Sequence, residues 1–356
     1  MRAIVVGLII LFSRTLPGQS LSHHFKTERI QPIDNSVSFR GIFAITENDV
    51  WVSGTHGAIY HSINGGKSFQ KIEIPDASDL DFRDIHCFPN HTIFVMSAGN
   101  GSNSRIYKST DNGRTWRLSF QNPHQDGFLN SLAFWDTSHG IAVGDPVNDH
   151  AYILLTSDGG NHWEEVDLKQ VPDALPGECG FAASGTCVTV LGTSYAWIGM
   201  GGPKARIYKT PDRGKSWHVY ETPILCGKNS TGIFSVYFEN EKDGVVVGGD
   251  YTEEDSSERT IALTKDGGIN WLFLKNGTLP FQSSVGEILI EGEQVFISTG
   301  PAGIYGSKDG VEWEKISHEG YHCLSVSKDS KVVWLAGSSG RVARLSINRP
   351  CSKVRR

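Results

Sequence analysis

The sequence predicts an all-β fold, a seven-bladed β-propeller, and two observations carry this prediction. The first is a motif, Ser/Thr-x-Asp-x-Gly-x-x-Trp, which is clearest at Ser109–Trp116 and recurs at regular intervals along the chain. The second is a pair of apolar, β-prone runs, each ending at a turn, that occurs seven times. Repeats of roughly 40 to 50 residues are typical of propeller blades, each of which is a four-stranded sheet.

Six copies of the motif are present, and the central Asp or Asn residues are separated by 47, 47, 54, 54 and 43 residues. The Asp side chain can accept hydrogen bonds from backbone N–H groups further along the chain, and the Gly can adopt a positive φ. The Trp then begins the next strand, so the motif predicts a tight turn between two strands. The copies lie at Ser62–Phe69, Ser109–Trp116, Thr156–Trp163, Thr210–Trp217, Thr264–Trp271 and Ser307–Trp313.

Each of the seven repeats is predicted to begin with an inner strand, strand A, followed by a second strand, strand B. The predicted A strands are Phe39–Ile45, Phe82–Phe88, Phe128–Phe134, Phe181–Val190, Ile233–Phe238, Val285–Ile290 and Tyr321–Val326. The predicted B strands are Val50–Ser53, Ile93–Ser97, Ile141–Gly144, Ala196–Gly199, Val245–Gly248, Val295–Ser298 and Val333–Gly337.

The last repeat, Tyr321–Ile347, contains only three strands before the sequence reaches Arg349-Pro350. The segment Phe25–Ile33 precedes the first A strand in the way that outer strands precede the later ones. The N-terminal strand is therefore predicted to complete the last blade, which removes an open sheet edge.

The first residues predict a signal peptide over 1–22, because Met1-Arg2 precedes a short apolar run at Ala3–Phe12. Small residues allow cleavage after Ser20 or Ser22. The remaining chain is expected to be a single propeller over 23–349 with a tail over 350–356, secreted or periplasmic, monomeric and not membrane-spanning.

The formal net charge of −6 is mild and unclustered, which argues against a nucleic-acid partner. No metal-binding or cofactor motif is visible, so neither a metal nor a cofactor is expected. Six cysteines permit disulfides in an exported chain. Cys179 and Cys226 fall in loops of consecutive blades and are the predicted pair, with Cys187 as an alternative partner for Cys179.

The six turn motifs resemble the Asp-box (BNR) repeats of sialidases, of several polysaccharide-cleaving enzymes and of the photosystem II assembly and stability factor family. The resemblance covers about residues 25 to 347 and is nearest to that assembly-factor family and its exported bacterial relatives. It implies a scaffold that binds protein subunits through a propeller face with an arginine patch and performs no reaction. The label "oxidoreductase" that some relatives carry is not supported by any cofactor motif.

In a propeller, the loops that lead into the A strands and those that follow the B strands open on one face around the axis, which we call the funnel face. Arg40 and Arg83 occupy the same repeat position there, in Phe-Arg-Gly-Ile and Phe-Arg-Asp-Ile. No catalytic residue is identified, and Tyr251 and His322 are candidates for a catalytic base. The predicted binding residues are Arg40, Arg83, Asp84, Asp145, Glu178, Arg206, Asp250, Tyr251 and His322.

Two functions are compatible with these residues, and a binding or assembly scaffold is favoured over an enzyme. The alternative is a carbohydrate-active enzyme, either a sialidase-like hydrolase or a polysaccharide lyase, acting on an acidic glycan. Arginines aimed at one axis favour a ligand with a carboxylate or sulfate, because the guanidinium fork matches such oxyanions. If the acids nearby neutralise the arginines, a neutral or protein ligand is expected instead.

Overall fold

A computed structural model describes residues 20–274, 279–329 and 331–348 of the chain. Seven antiparallel sheets surround a central axis. The inner strand of each sheet contacts the inner strand of the next, and that of the seventh contacts that of the first. The prediction of an all-β, seven-bladed propeller is confirmed.

Four strands make up each blade, in order from the axis outward. Blades 1 to 3 contain Phe39–Ala44, Val50–Gly54, Ile59–Ser62 and Gln70–Ile72; Asp81–Cys87, Ile93–Ala98, Arg105–Ser109 and Arg117–Gln121; and Leu129–Phe134, Gly140–Val147, His150–Thr156 and Glu164–Glu165. Blades 4 and 5 contain Val188–Leu191, Tyr195–Gly199, Arg206–Thr210 and His218–Glu221; and Lys228–Phe238, Gly244–Asp250, Ile261–Thr264 and Leu272–Phe273, with Gly201–Gly202 added on the inner side of blade 5. Blades 6 and 7 contain Ser284–Ile290, Glu293–Gly300, Gly303–Ser307 and Glu314–Ser317; and Cys323–Val326, Val332–Ala336, Val342–Ile347 and Phe25–Ile30.

The outer strand of blade 7 comes from the other end of the chain. Phe25–Ile30 pairs antiparallel with Val342–Ile347, with Phe25 opposite Ile347. A short 3₁₀ helix, Leu21–His24, precedes it, and Leu21 is buried with apolar residues of blades 6 and 7. Two further 3₁₀ turns lie at Gly101–Asn103 and Leu168–Gln170. In the described part of the chain, no helix has the length and hydropathy of a membrane span.

Apolar clusters between neighbouring blades form the core. Each of the seven main clusters combines side chains of two adjacent sheets, and one of them joins blade 7 to blade 1. Trp51, Trp197 and Trp334, all on second strands, are fully buried there. Burial of such large rings stabilises each blade contact.

The repeated motif forms the turn between the third and fourth strands of a blade. At Ser109–Trp116 the carboxylate of Asp111 accepts a hydrogen bond from the backbone N–H of Thr115 at 2.9 Å. The Ser109 hydroxyl accepts from the N–H of Gly113, whose φ of 79° favours glycine. The indole N–H of Trp116 donates to the carbonyl of Gly113 at 3.1 Å. These bonds satisfy the polar groups of the turn locally.

Four inner strands carry a β-bulge at one shared position. The register against the second strand skips one residue in blades 1, 2, 3 and 5. A bulge leaves its extra residue unpaired, bends the strand and redirects that side chain. The bulged residues are Arg40, Arg83, Asn130 and Phe234.

Side chains next to the axis also link neighbouring blades. The Asp84 carboxylate accepts from the Leu132 N–H at 2.7 Å and from the Ser131 hydroxyl at 3.0 Å. In blade 5, the Ser235 hydroxyl accepts from the Val285 N–H of blade 6 in the same way, at 3.1 Å. These bonds fix the relative positions of the inner strands and so of the residues that the bulges present.

Two predictions made from the sequence are wrong. The inner strand of blade 4 is Val188–Leu191 and not Phe181–Val190, because the side chain of Phe181 stacks on Phe234 instead of forming part of a ladder. Cys179 and Cys226 are both free, and Cys179 makes a weak hydrogen bond to the Asn229 carbonyl, with its sulfur 3.7 Å from the oxygen.

Candidate functional site

A cavity of about 650 Å³ lies on the funnel face at the axis, and we call it the axial cup. The bulged residues of blades 1, 2, 3 and 5 all line it, so the bulges are what aim these side chains inward. Its size is within the usual range of ligand sites. The lining includes Arg40, Arg83, Asn130, Asp145, Glu178, Cys179, Phe181, Ala182, Phe234, Tyr251, Glu254, Phe281, Ser283 and His322.

Blades 1, 2 and 7 supply a basic wall. The Arg83 guanidinium forms an ion pair with Asp81 at 2.7 Å and donates to the Ala182 carbonyl at 3.1 Å. Arg40 is partly buried, and among the residues that the structure describes its guanidinium has neither a hydrogen bond nor an ion pair. Burial and the charge of Arg83 lower the pKa of Arg40 from its usual value.

His322 belongs to the same wall and is uncharged near neutral pH. Burial, reinforced by the positive charge of Arg40, lowers the pKa of His322 to about 3. Its Nδ1 atom is buried and lacks a hydrogen-bond partner in the described part of the chain. A neutral imidazole can donate from one ring nitrogen and accept at the other, so His322 adds an unused polar group to this wall without adding a charge.

The opposite wall is aromatic. Phe181 and Phe234 are stacked with ring centroids 3.8 Å apart, and Phe281 meets Phe234 edge-on at 4.7 Å. Tyr251 approaches Phe234 at 6.1 Å and is 49% exposed, while Phe234 is buried. Such rings present flat apolar surface and, in the case of Tyr251, one hydroxyl.

The segment before the inner strand of blade 4 closes the bottom of the cup. The Ala182 carbonyl is bound by Arg83 of blade 2, and the Ser184 hydroxyl donates to the Ser283 carbonyl of blade 6 at 2.7 Å. The segment therefore reaches two other blades across the axis. We call residues 179–187 the cross-axial segment.

Asp145 is the acid of blade 3 that reaches the cup. Its Oδ1 accepts from the Asn130 amide and from the Gly180 N–H, both at 2.8 Å. Burial raises its pKa, although these two hydrogen bonds oppose the shift. Asn130 Oδ1 is buried without a partner among the described residues, which leaves an acceptor beside the cup.

Of the nine sequence-predicted site residues, six line the cup: Arg40, Arg83, Asp145, Glu178, Tyr251 and His322. The side chain of Glu178 is fully buried behind this lining, where it pairs with Arg206 and accepts from Tyr208 at 2.9 Å. Arg206 itself does not line the cup. Glu178, which the sequence suggested as a ligand-binding acid, is thus already neutralised by Arg206.

The structure places Asp84 and Asp250 outside the cup as well. Asp84 is buried in the junction of blades 2 and 3, where it accepts from Leu132. Asp250 is buried and pairs with Lys228 at 3.0 Å, and it also accepts from the Thr252 hydroxyl at 2.6 Å. Asp84 therefore joins two inner strands, and Asp250 holds the loop that begins at Tyr251.

The aromatic wall was missed by the sequence analysis. Phe234 occupies the repeat position of Arg40 and Arg83, since Ile-Phe-Ser-Val aligns with Phe-Arg-Gly-Ile. That alignment is the signal that could have revealed Phe234. Phe181 and Phe281 had no such signal, because each precedes its inner strand in an irregular segment.

A larger depression, of about 830 Å³, lies between the turn motifs of blades 3 and 4 on the opposite face. Two of its histidines are close to carboxylates: His139 to the neighbouring Asp136 at 2.9 Å, and His162 to Asp158 at 2.6 Å. The axial cup is the better candidate because its cation without a partner in the described part of the chain, Arg40, is partly buried, whereas Lys215 in the depression is exposed. Over residues 20–274, 279–329 and 331–348, no cluster of His, Cys, Asp or Glu suited to a metal ion was found.

Comparison with known proteins identifies similar sequences and folds. No family model matches the chain. The photosystem II assembly lipoprotein Ycf48 of Synechococcus sp. (strain CC9902) is 28% identical over 145 residues, which is 40% of this chain and 36% of that protein. The chain thus matches only about a third of the length of this relative.

Solved structures are similar over nearly the whole fold. YCF48 bound to a D1 peptide superposes with a TM-score of 0.61 at 13% identity, over 91% of this chain and 96% of the other. A catalytically inactive virginiamycin B lyase from Staphylococcus aureus with quinupristin superposes with a TM-score of 0.66 at 12% identity, over 91% of this chain and 100% of the other. YCF48 from Cyanidioschyzon merolae superposes with a TM-score of 0.55 at 15% identity, over 90% of this chain and 98% of the other. At such identities the structural likeness establishes the fold, a seven-bladed propeller similar to Ycf48.

Proposed function

We propose that this chain is an exported binding protein that holds a protein partner in the axial cup on its funnel face. The observation that carries the proposal is Arg40, a partly buried cation that lines the cup and has no partner among the described residues. Keeping such a group costs stability, because a charge removed from water is normally compensated by a partner. A bound anionic or polar group would supply that compensation. The similarity to Ycf48 also supports the proposal, because one of the similar solved structures is YCF48 bound to a D1 peptide.

The acids and bases of the site support binding over catalysis. A general acid or base needs a pKa near the working pH, and the pKa of His322 is lowered to about 3. Of the predicted acids, Glu178 pairs with Arg206 and Asp250 pairs with Lys228. Within the described residues, neither Tyr251 nor His322 has a side-chain hydrogen bond to a carboxylate, so no nucleophile–base pair is assembled.

Export itself remains part of the proposal. The predicted signal peptide over 1–22 lies almost entirely outside the described residues, as does the whole of the predicted tail over 350–356. A secreted or periplasmic location is proposed from the apolar run at Ala3–Phe12. We also propose that the chain works as a monomer.

The proposal is tested by exposing the purified protein to an array of random 15-residue peptides and to a panel of acidic glycans, with both binding and product release recorded. Peptide binding that is lost in Arg40→Gln supports it. Arg29→Gln is the matched control, since that arginine lies on the outer strand of blade 7 with its side chain 74% exposed. Release of a glycan product, or peptide binding that is the same in both variants, contradicts it.

A further inference from the structure

We propose that the axial cup selects a single carboxylate joined to an apolar group, such as the C-terminal residue of a peptide with an apolar side chain. The carboxylate lies at Arg40 and the apolar group lies against Phe234 and Tyr251. This inference rests on the proposed function and narrows it to a class of ligand. Three features of the cup support it: its charges, its two walls and its closed end.

Among the described lining residues, one cation lacks a counter-ion, so the cup is suited to a monoanion rather than to a dianion. Arg83 is held through Nε by Asp81 and through Nη1 by the Ala182 carbonyl, so the charge of Arg83 is already balanced by one carboxylate. Only Arg40 of this pair lacks an ion-pair partner among the described residues, and Asp81 and Glu254 act on it from beyond ion-pair distance. One free guanidinium matches one carboxylate, to which it can donate two parallel hydrogen bonds. A phosphate dianion would meet the same single cation and the partly buried carboxylate of Asp145 nearby.

The two walls place a charge and an apolar surface on opposite sides of one cavity. Arg40 is on blade 1 and Phe234 is on blade 5, which are separated by three blades in one direction and by two in the other. Both residues are bulged, so both side chains are directed by the same backbone device. A ligand that contacts both walls must carry its carboxylate and its apolar group within the width of the cup.

The closed end of the cup favours the end of a chain. The cross-axial segment is held to blade 2 by Arg83 and to blade 6 by the bond from Ser184 to Ser283. Thr186 of the same segment donates to Ser235 of blade 5 at 2.8 Å. These three anchors place the segment across the axis, in the path that a polypeptide passing through the propeller would take. A terminal group can enter and stop, and the rest of the ligand then leaves by the funnel face.

The shared chemistry, a carboxylate beside an apolar group, could come from a peptide end or from a small aromatic acid. Four probes distinguish these sources and the chemistry: a peptide ending in free phenylalanine, the same peptide amidated, the same peptide ending in free serine, and N-benzoylglycine. Binding is measured by calorimetry with the full-length mature protein. We expect the free phenylalanine peptide to bind at least tenfold more tightly than the amide and than the serine peptide.

Variants test the two walls separately. Arg40→Gln is expected to abolish the preference for the free acid over the amide, while Arg40→Lys retains part of it. Tyr251→Ala removes an exposed ring and is expected to reduce the preference for phenylalanine over serine. Arg29→Gln should change neither ratio. Circular dichroism of each variant confirms that the sheets are intact.

The outcomes separate failure of the ligand class from failure of the proposed function. Equal binding of acid and amide, or no binding of any probe at 1 mM, overturns the inference. If peptides found on the array still depend on Arg40 while the acid and amide bind equally, the ligand class is wrong and the proposed function stands. If N-benzoylglycine binds more tightly than the peptide acid, the cup chemistry is supported with a small acid as its source. Array peptides that are indifferent to Arg40→Gln contradict the proposed function itself.

Discussion

Arg40 and Arg83 occupy the same bulge in neighbouring blades, yet their substitution is expected to change stability in opposite directions. Arg83 has Asp81 and the Ala182 carbonyl as partners, whereas Arg40 has no partner among the described residues. Replacing a poorly compensated cation by an apolar side chain of similar length is often stabilising. Removing one member of a formed pair leaves the other carboxylate unpaired, which is destabilising.

The magnitudes follow from these contacts. For Arg40→Met we expect a gain of about 1 to 2 kcal/mol in the free energy of unfolding, at the low end because the side chain faces an open cup. For Arg83→Met we expect a loss of about 1 to 3 kcal/mol. With an unfolding entropy of about 2.1 cal/mol/K per residue, roughly 330 folded residues give about 0.7 kcal/mol/K. The melting temperature should therefore rise by about 1.5 to 3 °C in the first variant and fall by about 1.5 to 4 °C in the second.

Differential scanning calorimetry of the two variants and the parent, without ligand, measures both shifts. Arg29→Met on the outer strand of blade 7 is the control for loss of an arginine at an exposed site, since the ion pair of Arg29 with Glu319 is solvent-exposed and such pairs contribute little. The reasoning is refuted if Arg40→Met lowers the melting temperature as much as Arg83→Met does. Such a result would mean that Arg40 has a stabilising partner in the unliganded protein.

Four further predictions concern the scaffold. Burial raises the pKa of Asp84 to about 7 from 3.8, against the hydrogen bonds from Leu132, Ser131 and Ile85, so the folded state favours the protonated form. Relative to Asp84→Asn, the parent should therefore lose stability as the pH rises from about 4 to about 7. Urea titrations measure this difference, and parallel stability curves for the two proteins would contradict it. Asp212→Ala removes the carboxylate that accepts from the N–H and the hydroxyl of Ser216. The free energy of unfolding should fall by about 1 kcal/mol, a small value because solvent screens this turn, and binding in the axial cup should not change. Loss of binding in the folded variant would show that the turns are not only structural. Deleting 25–33 should expose the strand Val342–Ile347 and cause aggregation in size-exclusion chromatography, and a monomer with an unchanged melting temperature would disprove it. Cleavage of the signal peptide should occur after Ser20. A cut after Ser22 would remove the buried Leu21, whose backbone N–H donates to the Glu314 carboxylate at 3.0 Å. N-terminal sequencing of the exported protein decides between the two sites.

Much of the fold could be predicted from the sequence, because its signals are local and repeated. Each turn motif satisfies its own polar groups, as Asp111 does with Thr115, so the motif is recognisable without knowledge of its surroundings. The inner strands of blades 1, 2 and 3 begin within a residue of the predicted positions. The inner strand of blade 4 was misplaced because Phe181, an aromatic residue, has strand propensity. Only a tertiary contact, its stacking on Phe234, shows that Phe181 lies outside the ladder.

The site could be predicted only in part, because pairing between distant residues decides which charges are free. Arg206 and Glu178 are 28 positions apart and cancel each other in the interior, which the sequence cannot reveal. Arg40 and Arg83 occupy the same repeat position, but only Arg83 has partners, the Asp81 carboxylate and the Ala182 carbonyl, among the described residues. The aromatic wall combines Phe181, Phe234 and Phe281 from three separate segments, and their stacking depends on how those segments fold.

The four bulges separate the choice of ligand from the integrity of the sheets. A bulged residue takes no part in the ladder, so its side chain can be replaced while the flanking pairs, such as Phe39 with Gly54 and Gly41 with Ser53, stay in register. Positions 40, 83, 130 and 234 are therefore places where ligand specificity can change without a shift in strand register. Position 40 carries the least stability cost, because Arg83 is paired with Asp81 and both Asn130 and Phe234 are buried. Evolution of a new specificity in this protein could proceed through single substitutions at these positions, with the seven blades unchanged.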